Sequence, residues 1–233
     1  MAPRRGEPRL LGDKRYTRKG VATMRKLFQY GGIAASVVLI AFGIGSIGIG
    51  AWGMNSVRSN LKLEQISGSP DMTPSAIKAE ASKAGLTGVT LPSCSVAGQA
   101  IDTGSKARCF ASYMRIHALE ATGGQTYSQM GRFLDAKGND TSDEALAAKD
   151  PKTGRPVENG LRNLWVTETA LATALNTAFF AERVGVFGIV MGIALLLTGV
   201  GFLILTLGGA LRRTEEEAVA KAAAAPLSVP VTS

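Results

Sequence analysis

The side chains of this chain that can do chemistry are few. Its single histidine, His117, stands three residues before Glu120. A His-x-x-Glu pair at that spacing shares one face of a helix and can supply two metal ligands. A structural zinc site takes four ligands and a catalytic one takes three from the protein. With no second histidine in the sequence, a solvated or hydrogen-bonded His117 is expected rather than a metal ligand. Glu168 interrupts an apolar helical stripe and reads first as a paired carboxylate. Together His117, Glu120 and Glu168 are the groups that a pocket between helices would use. No serine sits in a nucleophile-elbow pattern. Gly43-x-Gly45-x-x-Gly48 matches the dinucleotide fingerprint in letters only. It lacks the preceding strand, the following helix and the acidic residue about 20 positions on. No catalytic residue, cofactor or metal is expected, and the chain is not read as an enzyme.

The elements that must position these groups are set by two uncharged stretches, Leu27 to Val57 and Val184 to Leu211. A bilayer's hydrocarbon core is crossed by roughly 20 apolar residues in a helix. Two transmembrane helices are therefore predicted at 32–54 and 184–207, with Trp52 as an interfacial anchor. The first apolar run is longer than the 7 to 15 residues or so of a signal-peptide core, so an uncleaved anchor is expected. Met24-Arg25-Lys26 ahead of it is by itself a sufficient insertion signal, which leaves Met24 as an alternative start.

The formal charge of +8 is concentrated at one end. Residues 1 to 26 carry nine Lys or Arg against Glu7 and Asp13, whereas 58 to 183 is nearly neutral, with fourteen basic and thirteen acidic residues. A basic tail beside a span marks the cytoplasmic side, and Arg212-Arg213 after the second span agrees. Nucleic acid is not expected as a partner; a lipid bilayer is. Both termini are placed in the cytoplasm, and 55–183 outside a plasma membrane. The two cysteines, Cys94 and Cys109, both fall in that outside piece, where disulfides persist. A bridge between them is the favoured reading over two buried thiols.

Organisation follows from this pair of spans: 1–31 a basic disordered tail, 55–183 a small helical domain, 208–233 a second disordered tail. Small residues mark where the spans meet each other or a second copy, at Ala41-x-x-x-Gly45, Ser46-x-x-x-Gly50 and Gly188-x-x-x-Gly192. Past the first span a helix continues to about Ile66. Thr73-Pro74 reads as N-cap and first-turn proline of a helix ending near Gly85. Ser105 to Ala121 reads as a helix with Ala107, Phe110, Ala111, Met114 and Ala118 on one face. A short helix is expected around 127–134, then a polar connection to Pro156. One long helix is expected from about 159 to 211. The fold class is an all-α membrane protein.

The stretches Pro70-Asp71-Met72-Thr73-Pro74, Cys94-Ser95-Val96-Ala97-Gly98, Met114 to Gly124 and Trp165 to Leu171 resemble an uncharacterised group of two-span membrane proteins from actinobacteria. The likeness covers about 24 to 213. Members often carry the label "aromatic ring-opening dioxygenase". Extradiol ring opening on non-haem iron usually takes two histidines and one carboxylate. One histidine does not satisfy that chemistry. The resemblance implies a source and a membrane location, and no site. The expected role is non-catalytic: a homo-oligomer, or a protein that binds a membrane or envelope partner. The alternative is an extracytoplasmic sensor or enzyme built on His117, Glu120 and Glu168.

Overall fold

In the computed structural model, residues 13–208 are described, with side chains from residue 29 onward. The order of elements is α1 (Asp13–Leu63), α2 (Pro74–Lys83), α3 (Gly104–Ala121), β1 (Phe133–Leu134), β2 (Asp140–Thr141) and α4 (Gly160–Leu207). They form two compact units: Met1–Gly48 with Gly188–Ser233, and Ile49–Phe187. The protein is mostly helical, as its apolar periodicity requires. One expectation is corrected at the N-terminus. Helix starts at Asp13, so 13–31 is not a disordered tail. Lys14 to Lys26 contains good helix formers and no proline, and carries the helix of the apolar run backwards. Residues 1–12 and 209–233, which include most of both expected tails and Arg212-Arg213, lie outside the described residues.

Both long helices are apolar enough and long enough to cross a membrane, and only 11% of each hydrophobic window is buried inside the protein. Val37, Phe42, Ile44, Val190, Leu197 and Phe202 all point outward. In the first unit α1 and α4 meet through glycine. A Cβ placed on Gly43 would lie 2.8 Å from the Gly192 carbonyl oxygen, and one on Gly192 would lie 2.7 Å from that of Gly43. Gly199 meets Ile40 in the same way. The Ser46 hydroxyl donates across the pair to the Gly188 carbonyl at 2.8 Å. In the second unit a Cβ on Gly185 would stand 2.9 Å from the Gly50 carbonyl.

Ser46, Gly50, Gly188 and Gly192 thus lie where the two helices approach, while Ala41 and Gly45 do not. Ala41 is exposed, and a Cβ on Gly45 would meet nothing within 4 Å. Buried positions recur at Ser36, Gly43, Gly50 and at Gly185, Gly192, Gly199, a seven-residue spacing rather than the expected four. At about 100° per residue, Gly45 is rotated roughly 200° away from Gly43. Gly192→Leu should therefore lower resistance to unfolding in an SDS titration by about 1–3 kcal/mol, the range for an overpacked contact. Gly45→Leu in the same assay should change it by less than about 0.5 kcal/mol. Equal effects would contradict this seam.

The four hydroxyls deep in the apolar stretches, those of Ser36, Ser46, Thr198 and Thr206, are satisfied. Ser36, Thr198 and Thr206 each donate to the carbonyl four residues back, at 2.7 Å in each case. Such bonds remove the cost of an unpaired polar group without any water.

The second unit holds the core. Thr73 caps α2, its Oγ1 accepting from Ala76 N at 3.3 Å, with Pro74 in the first turn. Thr103 caps α3 in the same way through Lys106 N. Ile77 and Ala81 of α2 pack on α3, whose Ala107, Phe110, Tyr113 and Ile116 are buried with Met72, Val96, Ile101 and Leu175. The Cys94 and Cys109 sulfurs lie 2.05 Å apart, at bonding distance, and join the 86–104 loop to α3. The Tyr113 hydroxyl donates to the Cys94 carbonyl at 2.6 Å, and burial pushes its pKa up. Past the first apolar run, the helix ends at Leu63.

The short helix expected at 127–134 is replaced by a hairpin. Phe133 pairs with Thr141 and Leu134 with Asp140, antiparallel. Turn chemistry decides this against helix propensity. Asp135 Oδ1 accepts from the Lys137 and Asn139 amides at 2.8 Å each, and Gly138 turns the chain at φ +85°. These short strands qualify the all-α description. The hairpin is tied to the start of α4 by the buried Asn159. Its Nδ2 donates to the Gly131 carbonyl and its Oδ1 accepts from Leu161 N, both at 3.1 Å.

Candidate functional site

The three residues singled out in the sequence do not come together. His117 and Glu120 lie one turn apart on α3, but Glu120 is exposed and is not among the acids that His117 meets. Glu168 is almost fully buried on α4 and binds Arg115, whose Nη1 donates to Oε2 at 3.1 Å. The Arg115 guanidinium lies 4.7 Å from the centre of the Trp165 ring. Ala118, Met130 and Trp165 close a small apolar cluster nearby. Glu168 is a paired carboxylate, as its place in the stripe implied, although its Oε1 has no hydrogen-bond partner among the described residues.

His117 instead meets two acids that the sequence did not connect with it. Its Nε2 lies 3.5 Å from Asp71 Oδ2 and 3.4 Å from Glu80 Oε2. Neither approach has hydrogen-bond geometry, and among the described residues the buried Nε2 has no partner, nor has the oxygen Asp71 Oδ1. One ligand atom from each of the three side chains lies within 4.8 Å of the other two. The side chains are partly exposed, at 27% for His117, 40% for Asp71 and 29% for Glu80.

Packing of their neighbours explains the convergence. Asp71 precedes buried Met72, whose carbonyl accepts from Val96 N at 3.2 Å and from Ser95 Oγ at 3.2 Å. Glu80 adjoins buried Ala81, and His117 adjoins buried Ile116. The apolar contact of α2 with α3 thus brings Glu80 and His117 together at its margin, and the loop ahead of Thr73 brings Asp71. The Ser69 side chain holds the Asp71 carboxyl below the ordinary carboxylate range; burial opposes this, and the His117 charge adds to it. A single local signal was readable beforehand: each acid adjoins a core position of its element.

A second buried carboxylate has a structural role. Glu182 accepts from the Gly104 amide at the start of α3 and from the Arg58 guanidinium near the end of α1. One apolar hollow of about 530 Å³ is lined by Tyr127, Trp165, Val166, Thr169, Ala170 and Thr173. A smaller polar one of about 200 Å³ lies beside Arg132, Asn159 and Arg162.

Comparison of the chain with protein-family models, with curated proteins and with solved structures finds no match.

Proposed function

We propose that this is an integral plasma-membrane protein of the cell envelope, anchored by α1 and α4, with residues 55–183 outside and both termini in the cytoplasm. The carrying observation is the outward apolar surface of the two span-length helices, of which 11% of each window is buried. In water that surface would cost about 25 cal/mol per Å². In lipid it costs nothing. The orientation rests on the basic residues at 1 to 26 and the acidic–basic balance of the middle piece. The cysteine pair is consistent with an oxidising compartment.

The role assigned is non-catalytic binding of a membrane or envelope partner, or of a second copy. Support comes from the aromatic-lined hollow on α4 and from the pairing of buried Glu168 with Arg115, apart from His117 and its acids. A second reading, a small-ligand sensor, is favoured by the convergence of Asp71, Glu80 and His117.

A thiol reagent that cannot cross the membrane should label Ser142→Cys in intact cells, and Ser228→Cys only after permeabilisation. Labelling of Ser228→Cys in intact cells would overturn the orientation. Crosslinking in the native membrane should then recover a partner or a homo-oligomer, and recovery of monomer alone would count against the binding role.

A further inference from the structure

We propose that Asp71, Glu80 and His117 form a binding site for a divalent first-row metal ion, with Zn²⁺ the ion that fits best. This goes beyond the envelope reading above and holds on whichever side of a membrane the domain lies.

Ligand type is the first support. One imidazole nitrogen with two carboxylates is a mixed N/O set, suited to Zn²⁺ and, less well, to Mn²⁺, and poor for soft Cu(I) or for Ca²⁺, which takes six to eight oxygens. Two carboxylates and a neutral imidazole carry a charge that a divalent cation offsets. Spacing is the second support. Tetrahedral Zn²⁺ with bonds of about 2.0–2.2 Å separates its ligand atoms by roughly 3.3–3.6 Å. His117 Nε2 stands 3.4 Å from Glu80 Oε2 and 3.5 Å from Asp71 Oδ2. The third edge lies within 4.8 Å and closes by rotation of the acid side chains.

The third support is independent of ligand type and distance. Among the described residues, no hydrogen bond satisfies the buried atoms His117 Nε2 and Asp71 Oδ1. Buried polar atoms without partners are rare and costly. A metal ion at the centre of the three groups satisfies Nε2 directly and allows Asp71 to bind through either oxygen. Position is the fourth. Each ligand adjoins a buried residue, Met72, Ala81 or Ile116, so the cluster is held by the α2–α3 core rather than by mobile surface side chains. The partial exposure of all three leaves the fourth position to water or to an incoming ligand.

The test uses the full chain in detergent, free of any polyhistidine tag, stripped with chelator and titrated calorimetrically with Zn²⁺. Uptake of one ion per chain with a Kd tighter than about 10 μM is expected. His117→Ala and Glu80→Gln should each weaken it at least about tenfold, and Glu144→Gln, an exposed acid outside α2 and α3, should leave it unchanged. Co²⁺ in place of Zn²⁺ should give the intense visible band of a four- or five-coordinate ion, absent in His117→Ala. Circular dichroism checks the fold of each variant; if His117→Ala is unfolded, Glu80→Gln and Asp71→Asn decide. Binding weaker than about 10 μM, or equal affinity in the folded variants and the parent protein, would leave a plain histidine–carboxylate ion cluster and overturn the site.

Discussion

Glu182→Ala is expected to destabilise the unit of residues Ile49–Phe187 by about 2–4 kcal/mol, measured as a fall in the thermal unfolding transition in detergent. The Glu182 side chain is 10% exposed and serves two elements at once. Its Oε2 accepts the Gly104 amide, one of the amides that α3 cannot pair internally. Its Oε1 accepts Arg58 Nε at 2.8 Å. Alanine leaves that amide at the buried start of α3 without a partner and removes a charge-assisted bond worth about 1.5–3 kcal/mol. The Arg58 contribution is smaller, because its side chain is 44% exposed and regains water. Glu182→Gln should recover part of the loss, since the amide oxygen still accepts from Gly104.

Gly104 enters the same prediction from the other side. A Cβ there would stand 2.5 Å from Glu182 Oε2 and 2.8 Å from the Phe179 Cα. Backbone cannot yield as a flexible side chain can, so Gly104→Ala should destabilise as well. Because both changes act on one contact, the double variant should cost clearly less than the sum of the singles. Full additivity would contradict the shared role. A loss under about 0.5 kcal/mol for Glu182→Ala would remove Glu182 from the fold's essential contacts.

Removal of the Cys94–Cys109 bridge comes next in expected size, at about 3 kcal/mol for a closed loop of this length. The residues are 15 apart in sequence. Opening the loop gives the unfolded chain more conformations, and a domain whose whole stability is about 5–15 kcal/mol feels the change strongly. Alanine is the right replacement at both positions, because Cys109 is 5% exposed and a serine hydroxyl there would be buried unpaired. Reductant should lower the unfolding midpoint of the parent protein and leave the Cys94→Ala/Cys109→Ala variant unmoved. Amide exchange should then rise first in 86–104. That segment keeps only other ties to the core, such as Val96 N to the Met72 carbonyl and Tyr113 to the Cys94 carbonyl. An unchanged midpoint under reductant would mean that the bond contributes nothing.

Much of the architecture is legible along the chain because its signals are local. Span length is set by a run of uncharged residues. The starts of α2 and α3 follow from Thr73-Pro74 and Thr103, whose hydroxyls accept amides three residues on. The single helix from Gly160 to Leu207 follows from an unbroken run without proline. The hairpin at Phe133–Thr141 was missed because Asp135 and Gly138 outvote the helix propensity of their neighbours, and side-chain-to-backbone bonding at a turn leaves only a weak trace in periodicity.

What depends on distant parts of the chain meeting was not legible. His117 was matched with Glu120 because spacing along one helix is the only relation a linear reading supplies. Its real neighbours, Asp71 and Glu80, are chosen by the packing of Ile77 and Ala81 on α3. The same holds for Glu182 at the Gly104 amide and for the seven-residue glycine seam, where the rotation of one helix against another selects Gly43 and passes over Gly45. By itself, then, the sequence determined α2, α3, α4 and the apolar part of α1, which segments are apolar enough for lipid, and which residues are chemically able to act. The tertiary structure alone decided which of those residues meet, because helix and turn signals are written within a few neighbouring residues, whereas side-chain partnership is the by-product of burying apolar faces that lie far apart in the chain.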